Sequence, residues 1–306
     1  MKPKIIAVTG GKGGTGKTLI AVNFAIMFKN LGKKVLLIDC DVDNPNTYLL
    51  LSGKLENQKE VPFFLPEFNN DICTKCGLCS ENCMAHAILQ VKDQYPIPML
   101  TLCSGCKLCY KLCSVKAIIS SSKIIGWTYE TKIRDIDLWV GELKVGEARS
   151  AAIIEKLIDN MEKEIETNPD KYDIVILDTA PGAHCDVEKG ISTADYVISV
   201  TEPTPFGALD LRRIIKLIKL LGKSTKVILN RSSLLGNKEI FLRELSSDGI
   251  NALGDIPLDK EIVNSYAIGV PIMDENTKFD TNGKGYIGFE RVFNNLLEWT
   301  NIKGEA

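Results

Sequence analysis

Charge of one sign is missing from this 306-residue chain: 37 lysines and arginines face 39 acids, a formal net charge of −2. A general nucleic-acid binder needs a basic surface to neutralise phosphates, so no nucleic-acid partner is expected. Long apolar runs are missing as well, and none approaches the roughly 20 residues that cross a bilayer. The chain opens Met1-Lys2-Pro3-Lys4 and enters an apolar run at Ile5, without the layout of a signal peptide. At the other end, Asn301-Ile302-Lys303-Gly304-Glu305-Ala306 lacks a basic amphipathic anchor. A cytoplasmic location with no membrane anchor is the expectation. Histidine is scarce, at two residues, and His86 reads as a helix-surface residue rather than a ligand. What remains is an ordinary globular composition, 45% apolar and 25% charged, long enough for one large domain or two.

The strongest local signal lies near the N-terminus. The β-branched run Ile5-Ile6-Ala7-Val8-Thr9 leads into Gly10-Gly11-Lys12-Gly13-Gly14-Thr15-Gly16-Lys17-Thr18 and then an apolar helical start, Leu19 to Phe24. Gly11, four residues, then Gly16-Lys17-Thr18 is the phosphate-loop pattern in its strand–loop–helix setting. Glycines let backbone N–H groups turn toward phosphate oxygens, and the helix N-terminus adds attraction. Lys17 is placed to reach the β- and γ-phosphates and the Thr18 hydroxyl to ligate Mg²⁺.

With the extra lysine, Lys12-Gly13-Gly14-Thr15-Gly16-Lys17-Thr18 resembles the deviant phosphate loop of the MinD/ParA ATPases, the Mrp-type iron–sulfur carriers and the nitrogenase iron protein. The resemblance implies that Lys12 reaches across a face-to-face homodimer, formed on ATP binding, to the partner's nucleotide. Further matches follow in order. Asp39-Cys40-Asp41-Val42-Asp43-Asn44-Pro45-Asn46, after a buried strand, resembles switch I, so Asp41 orients the attacking water and Asn46 follows it. Tyr172 to Asp178 with Thr179-Ala180-Pro181-Gly182 resembles the Walker B and switch II segment, with Asp178 in the magnesium shell and the Gly182 N–H at the γ-phosphate. Asn230-Arg231 resembles the adenine-recognising segment, and Leu253 to Asp259, with Pro257, the base-pocket loop. The GTPase pattern N-K-x-D is not met at Asn237-Lys238-Glu239-Ile240, which favours ATP. The implied fold is a doubly wound α/β domain with a mostly parallel sheet. Its catalytic residues are Lys12, Lys17 and Asp41, and its nucleotide contacts run from Gly11 to Thr18 with Asn46, Gly182, Asn230, Arg231 and Pro257.

Eight of the ten cysteines fall within 41 residues, from Cys73 to Cys113. Cys73-x-x-Cys76-x-x-Cys79-x-x-x-Cys83 recurs at a 30-residue offset as Cys103-x-x-Cys106-x-x-Cys109-x-x-x-Cys113, with Leu78/Leu108, Ala87/Ala117 and Ile88/Ile118 matching. Two such runs resemble the bacterial two-cluster ferredoxins, in which the fourth cysteine of each run serves the other cluster. The implied ligand sets are Cys73, Cys76, Cys79 and Cys113 for one [4Fe–4S] cluster, and Cys103, Cys106, Cys109 and Cys83 for the other. Met84 and Ser114 stand where ferredoxins usually carry proline. A zinc site is the alternative, but structural zinc takes paired knuckles and four ligands in all. The expected division is an inserted ferredoxin-like domain at 62–122 within an ATPase domain of 1–61 plus 123–306. From Asn69 to Ser122 five lysines, at 75, 92, 107, 111 and 116, outweigh Asp71, Glu81 and Asp93.

Cys40 reads as a core thiol. Cys185, seven residues beyond Asp178, sits at the offset of the cluster ligand of the nitrogenase iron protein. It is a relay or transient site at a dimer seam, or a buried apolar thiol. Gly146-Glu147-Ala148-Arg149-Ser150 takes no assigned role. The expected function is ATP-gated electron transfer to an unidentified redox partner. The alternatives are a cluster scaffold or carrier serving client proteins and, in another class, a positioning protein.

Overall fold

The computed structural model describes residues 2–234 and 238–302. Asn237 of the unmet GTPase pattern and the last four residues of the C-terminal stretch lie outside the described residues. In chain order the elements are β1 (Lys4–Thr9), α1 (Lys17–Asn30), β2 (Val35–Cys40), α2 (Thr47–Leu50), β3 (Lys59–Phe68), α3 (Leu78–Glu81), β4 (Ile88–Leu89), β5 (Ile97–Pro98), α4 (Leu108–Leu112), β6 (Ile118–Ile133), β7 (Ile136–Leu143), α5 (Ser150–Thr167), β8 (Ile174–Thr179), α6 (Cys185–Thr193), β9 (Tyr196–Thr201), α7 (Pro205–Leu220), β10 (Thr225–Asn230), α8 (Lys238–Ser247), β11 (Ala252–Ile256), α9 (Lys260–Ile268) and α10 (Lys284–Thr300). They form two compact units, Met1–Lys59 with Trp127–Ala306, and Glu60–Gly126. The second unit is slightly longer at each end than the 62–122 segment read from composition.

In the first unit the strand order is β11-β10-β9-β1-β8-β2-β7, with the second half of β6 next. β1 pairs in parallel with β8 and β9, and β2 with β8 and β7. β2 and β8 are buried at every residue and β1 at all but Lys4. Strands covered on both faces must be apolar throughout, which is why VLLIDC and IVILDT do not alternate. α1 is likewise buried along most of its length, and its Phe24 and Phe28 meet Phe293 of α10 at 5.7 and 4.8 Å between ring centroids. Parallel order brings the carboxyl ends of β1, β2, β8, β9, β10 and β11 to one edge of the sheet, where such folds hold ligands. β6 and β7 are joined at Arg134-Asp135, both with positive φ (51° and 64°), the backbone of a two-residue primed hairpin turn.

The second unit is built on the repeat. α3 and α4 begin at the equivalent residues Leu78 and Leu108. Three equivalent positions of each half have left-handed backbone: Lys75 and Gly105 (58° and 71°), Gly77 and Lys107 (84° and 63°), His86 and Lys116 (50° and 56°). His86 thus sits exposed in a turn rather than on a helix. Each half exchanges which position carries glycine, and the reason at 105 is steric: a Cβ there would lie 2.6 Å from Phe63 Cζ. Gly105→Lys, which copies Lys75, is therefore expected to cost roughly 1–3 kcal/mol of stability. Adding Phe63→Ala should return part of it, and chemical denaturation of the three variants checks both effects.

The apolar core of this unit is small, with Val61, Phe64, Ala87, Ile88, Ala117, Ile118 and Ile125 buried, while Met84 is 90% exposed and Val91 63%. Every cysteine is free of disulfide bonding. A domain of this size with so thin a core needs another cross-link.

Candidate functional site

At the carboxyl edge of the first unit's sheet lies a cavity of about 340 Å³. Gly13, Gly14, Gly16, Lys17 and Thr18 line one side, Asp41 and Asn46 another, and Asn230, Arg231 and Pro257 a third. The fold thus gathers residues from four distant stretches of sequence. Gly16 has φ 94°, and Asn230 Nδ2 approaches it closely while donating to Thr15 O at 2.8 Å. A Cβ at Gly16 would lie 2.2 Å from that nitrogen. Gly16→Ala is therefore expected to break the Asn230–Thr15 bond and strain the turn, lowering nucleotide affinity roughly 10- to 100-fold in a fluorescent-nucleotide titration.

Lys17 is 6% exposed and donates to Lys12 O at 3.3 Å. Burial lowers its ammonium below the ordinary lysine range, against the opposing pull of Asp178 and Asp41. Burial also raises Asp41, while Lys17 and the Asn44 N–H hold it down in part. Asp178 is fully buried, and neither carboxylate oxygen has a hydrogen-bond partner. Burial, with the nearby Asp39 charge, pushes it far above the carboxylate range, offset only in part by Thr18 and Lys17. An orphaned buried carboxylate near a hydroxyl and a cation fits a divalent metal: Thr18, which lines the cavity, and Asp178, which lies beneath its lining, would hold Mg²⁺, which would there neutralise phosphate charge.

Other expected site residues are placed differently. Gly11 and Thr15 do not line the cavity; Gly11 lies under α7, where its Cβ would meet Asp210 O at 2.2 Å. The Gly182 N–H donates to Gly10 O at 3.0 Å, tying switch II to the base of the phosphate loop rather than presenting the donor to the cavity. Lys12 also lies off the cavity and pairs with Glu202 at 3.2 Å. Cys40 is buried, with its thiol pushed well up by burial. Cys185 is exposed as the first residue of α6, so it is not a buried apolar thiol: the chain leaves the sheet edge at Pro181 and does not re-enter the core before Val187.

Asp39 was not singled out by its sequence context, yet it organises switch I. Its carboxylate accepts from the N–H of Asp41 (3.0 Å), Asn46 (3.0 Å) and Thr47 (3.1 Å) and from Thr47 Oγ1 (2.9 Å). Burial outweighs these bonds and pushes its pKa up to about 6. The folded value lies above the unfolded value of about 3.9, so the folded chain keeps a proton between about pH 4 and pH 6 that the unfolded chain has lost. The Asp39 contribution to stability is therefore fullest below about pH 4, declines as pH rises through 6, and is level above. Urea midpoints should show the parent losing roughly 1–3 kcal/mol relative to Asp39→Asn between about pH 4 and about pH 7. A constant gap contradicts this. Leu258, Asp259, Ile262, Val263 and Tyr266 also line the cavity, from α9 and the turn before it.

The sequence profile of the AAA domain family matches residues 3–231. The chain belongs to that family, as a P-loop ATPase of the MinD/ParA superfamily. An uncharacterized protein of Methanocaldococcus jannaschii is 37% identical over 275 residues, covering 89% of this chain and 92% of that one. The septum site-determining protein MinD of Synechocystis is 26% identical over 277 residues, 89% of this chain and 82% of its own. The structure of MinD complexed with Mg-ADP from Pyrococcus horikoshii shares the fold, with TM-score 0.60 and 18% identity over 99% of this chain and 100% of that one. No described helix of this MinD/ParA ATPase is long and apolar enough to cross a membrane.

In the second unit the cysteines gather in two sets. Cys73, Cys76, Cys79 and Cys113 line one cavity, with Phe68 and Ile118. Cys83, Cys103, Cys106 and Cys109 line another, with Phe64 and Leu100. Backbone N–H groups of Ala87 and Ala117 donate to Cys83 Sγ (3.2 Å) and Cys113 Sγ (3.1 Å), again one from each half. Burial raises the Cys79 thiol and pushes Cys109 up to about 11, with neighbouring cysteines adding to each. No three His, Cys, Asp or Glu among the described residues are gathered closely enough to chelate a single metal ion. A cubane asks for a different arrangement, one thiolate at each of four iron corners.

Proposed function

We propose that this ATPase binds and hydrolyses Mg-ATP as a homodimer and couples that cycle to electron transfer by two [4Fe–4S] clusters. Cys73, Cys76, Cys79 and Cys113 hold one cluster; Cys83, Cys103, Cys106 and Cys109 hold the other. The observation that carries this is the crossed cysteine sets: each cavity is lined by three cysteines of one run and the last of the other. That is the exchange expected of a two-cluster ferredoxin. The thin core supports it too, because bound iron would supply the missing cross-link. Bound clusters supply one-electron carriers.

On the ATPase side, Lys17 meets the phosphates, Thr18 and Asp178 hold Mg²⁺, Asp41 orients water, and Asn230, Arg231 and Pro257 face the base. Switch I leads within 32 residues from Asp41 to Cys73, the connection through which the cycle biases the clusters. The likeness to septum site-determining proteins favours a second reading, ATP-dependent positioning, which gives the cysteine sets no work.

The experiment is an oxygen-free preparation assayed for iron, acid-labile sulfide, zinc and ATP hydrolysis. About eight irons and eight sulfides per chain are expected for two cubanes. Zinc in their place, or fewer than about seven irons, overturns the cluster assignment.

A further inference from the structure

Glu202 follows β9 directly and is 7% exposed. It is a buried carboxylate serving two cations. Its Oε2 lies 3.2 Å from Lys12 Nζ, and its Oε1 accepts from the Arg231 guanidinium. Arg231 also donates to Gly14 O at 3.0 Å, in a left-handed backbone conformation (φ 50°). Arg231 lines the nucleotide cavity and Lys12 does not.

We propose that Glu202 is a positioning residue that parks Lys12 off the nucleotide cavity, and that Lys12 reaches a phosphate only by leaving it. The proposal rests on the ATP-hydrolysing reading above, in which Lys12 acts on nucleotide. The arrangement makes the exchange easy. A buried carboxylate stripped of every partner is costly, but Arg231 stays on Glu202 when Lys12 departs. The Lys12 side chain is already 34% exposed, so its ion pair with Glu202 is a weak one and its ammonium regains water readily. The competing charge is the polyphosphate of a nucleoside triphosphate, which draws the lysine away. A single carboxylate thus sets how much triphosphate is needed before Lys12 engages.

Two variants separate the roles of Glu202. Glu202→Gln keeps an acceptor for Arg231 but removes the charge that holds Lys12. Glu202→Asp keeps the charge but draws the carboxylate back by one methylene, lengthening its already longer approach to Lys12, and it serves if the glutamine variant does not fold. In either, ATP-dependent dimerisation and hydrolysis should reach half-maximum at roughly 2- to 5-fold lower ATP, the range of a weak ion pair. In a Lys12→Ala background, where hydrolysis itself is expected to be lost, the same substitutions should bring no gain in nucleotide affinity in a fluorescent-nucleotide titration. Without nucleotide, Lys12 should also be acylated faster by an amine-reactive reagent in the variants than in the parent, read by mass spectrometry. Unchanged ATP dependence with unchanged Lys12 labelling overturns the proposal, as does a gain that persists without Lys12. If the parent does not hydrolyse ATP, the ATPase reading fails, and the labelling comparison still decides whether Glu202 parks Lys12.

Discussion

Lys17→Ala is expected to lower kcat/KM for ATP by on the order of 10³-fold, the scale of removing a preorganised charge from phosphoryl transfer. Lys17 begins α1, is 6% exposed and lies among the residues lining the cavity. Its ammonium feels the charges of Asp178 and Asp41, and burial lowers its pKa, so the charge is held at a cost that a bound polyphosphate relieves. Alanine leaves the loop backbone in place but removes the counter-charge to phosphate and exposes Asp41 and Asp178 to mutual repulsion. The fold should survive, since Lys17 belongs to no described salt bridge and its long-range partners are only electrostatic. Far-ultraviolet circular dichroism alongside the kinetics separates the two. A folded variant that binds and hydrolyses ATP like the parent contradicts the assigned role.

The second large effect concerns the crossed cysteines. Cys113→Ala is expected to halve the iron, from about eight to about four per chain. Loss of one cluster alone does not show crossing, because an uncrossed arrangement gives the same count. The released thiols do. In the crossed arrangement Cys113→Ala frees Cys73, Cys76 and Cys79 for alkylation and leaves Cys83, Cys103, Cys106 and Cys109 protected. Cys83→Ala frees Cys103, Cys106 and Cys109 instead. Mass spectrometry of alkylated peptides reads the pattern directly. Release of thiols within the same run as the substituted cysteine contradicts the assignment.

Contiguous signals carried furthest from the sequence. The phosphate loop needs only one strand, one turn and one helix in succession, so its residues could be named before any long-range contact was known. The cysteine repeat is contiguous too, and its 30-residue offset returns as matching left-handed positions at 75/105, 77/107 and 86/116. Contacts closed over long distances were not legible. Glu202 meets Lys12 and Arg231 across 190 and 29 residues, and nothing local in Thr201-Glu202-Pro203 marks that pairing. α9 supplies Ile262, Val263 and Tyr266 to the cavity, but its short apolar spacing gives no functional signal. The Arg134-Asp135 turn lacks the asparagine and glycine that advertise primed hairpins. Gly182 was legible as switch II by resemblance, whereas its bond to Gly10 depends on β1 and β8 lying side by side.

The account joins a nucleotide cavity and two cysteine sets in one chain and holds that one governs the other. The most direct measurement is the rate at which anaerobically reduced protein passes electrons to an acceptor, with Mg-ATP and without it, in the parent and in Lys17→Ala. The account predicts that Mg-ATP changes the rate in the parent and leaves it unaltered in the variant. Equal rates in the parent with and without nucleotide contradict it.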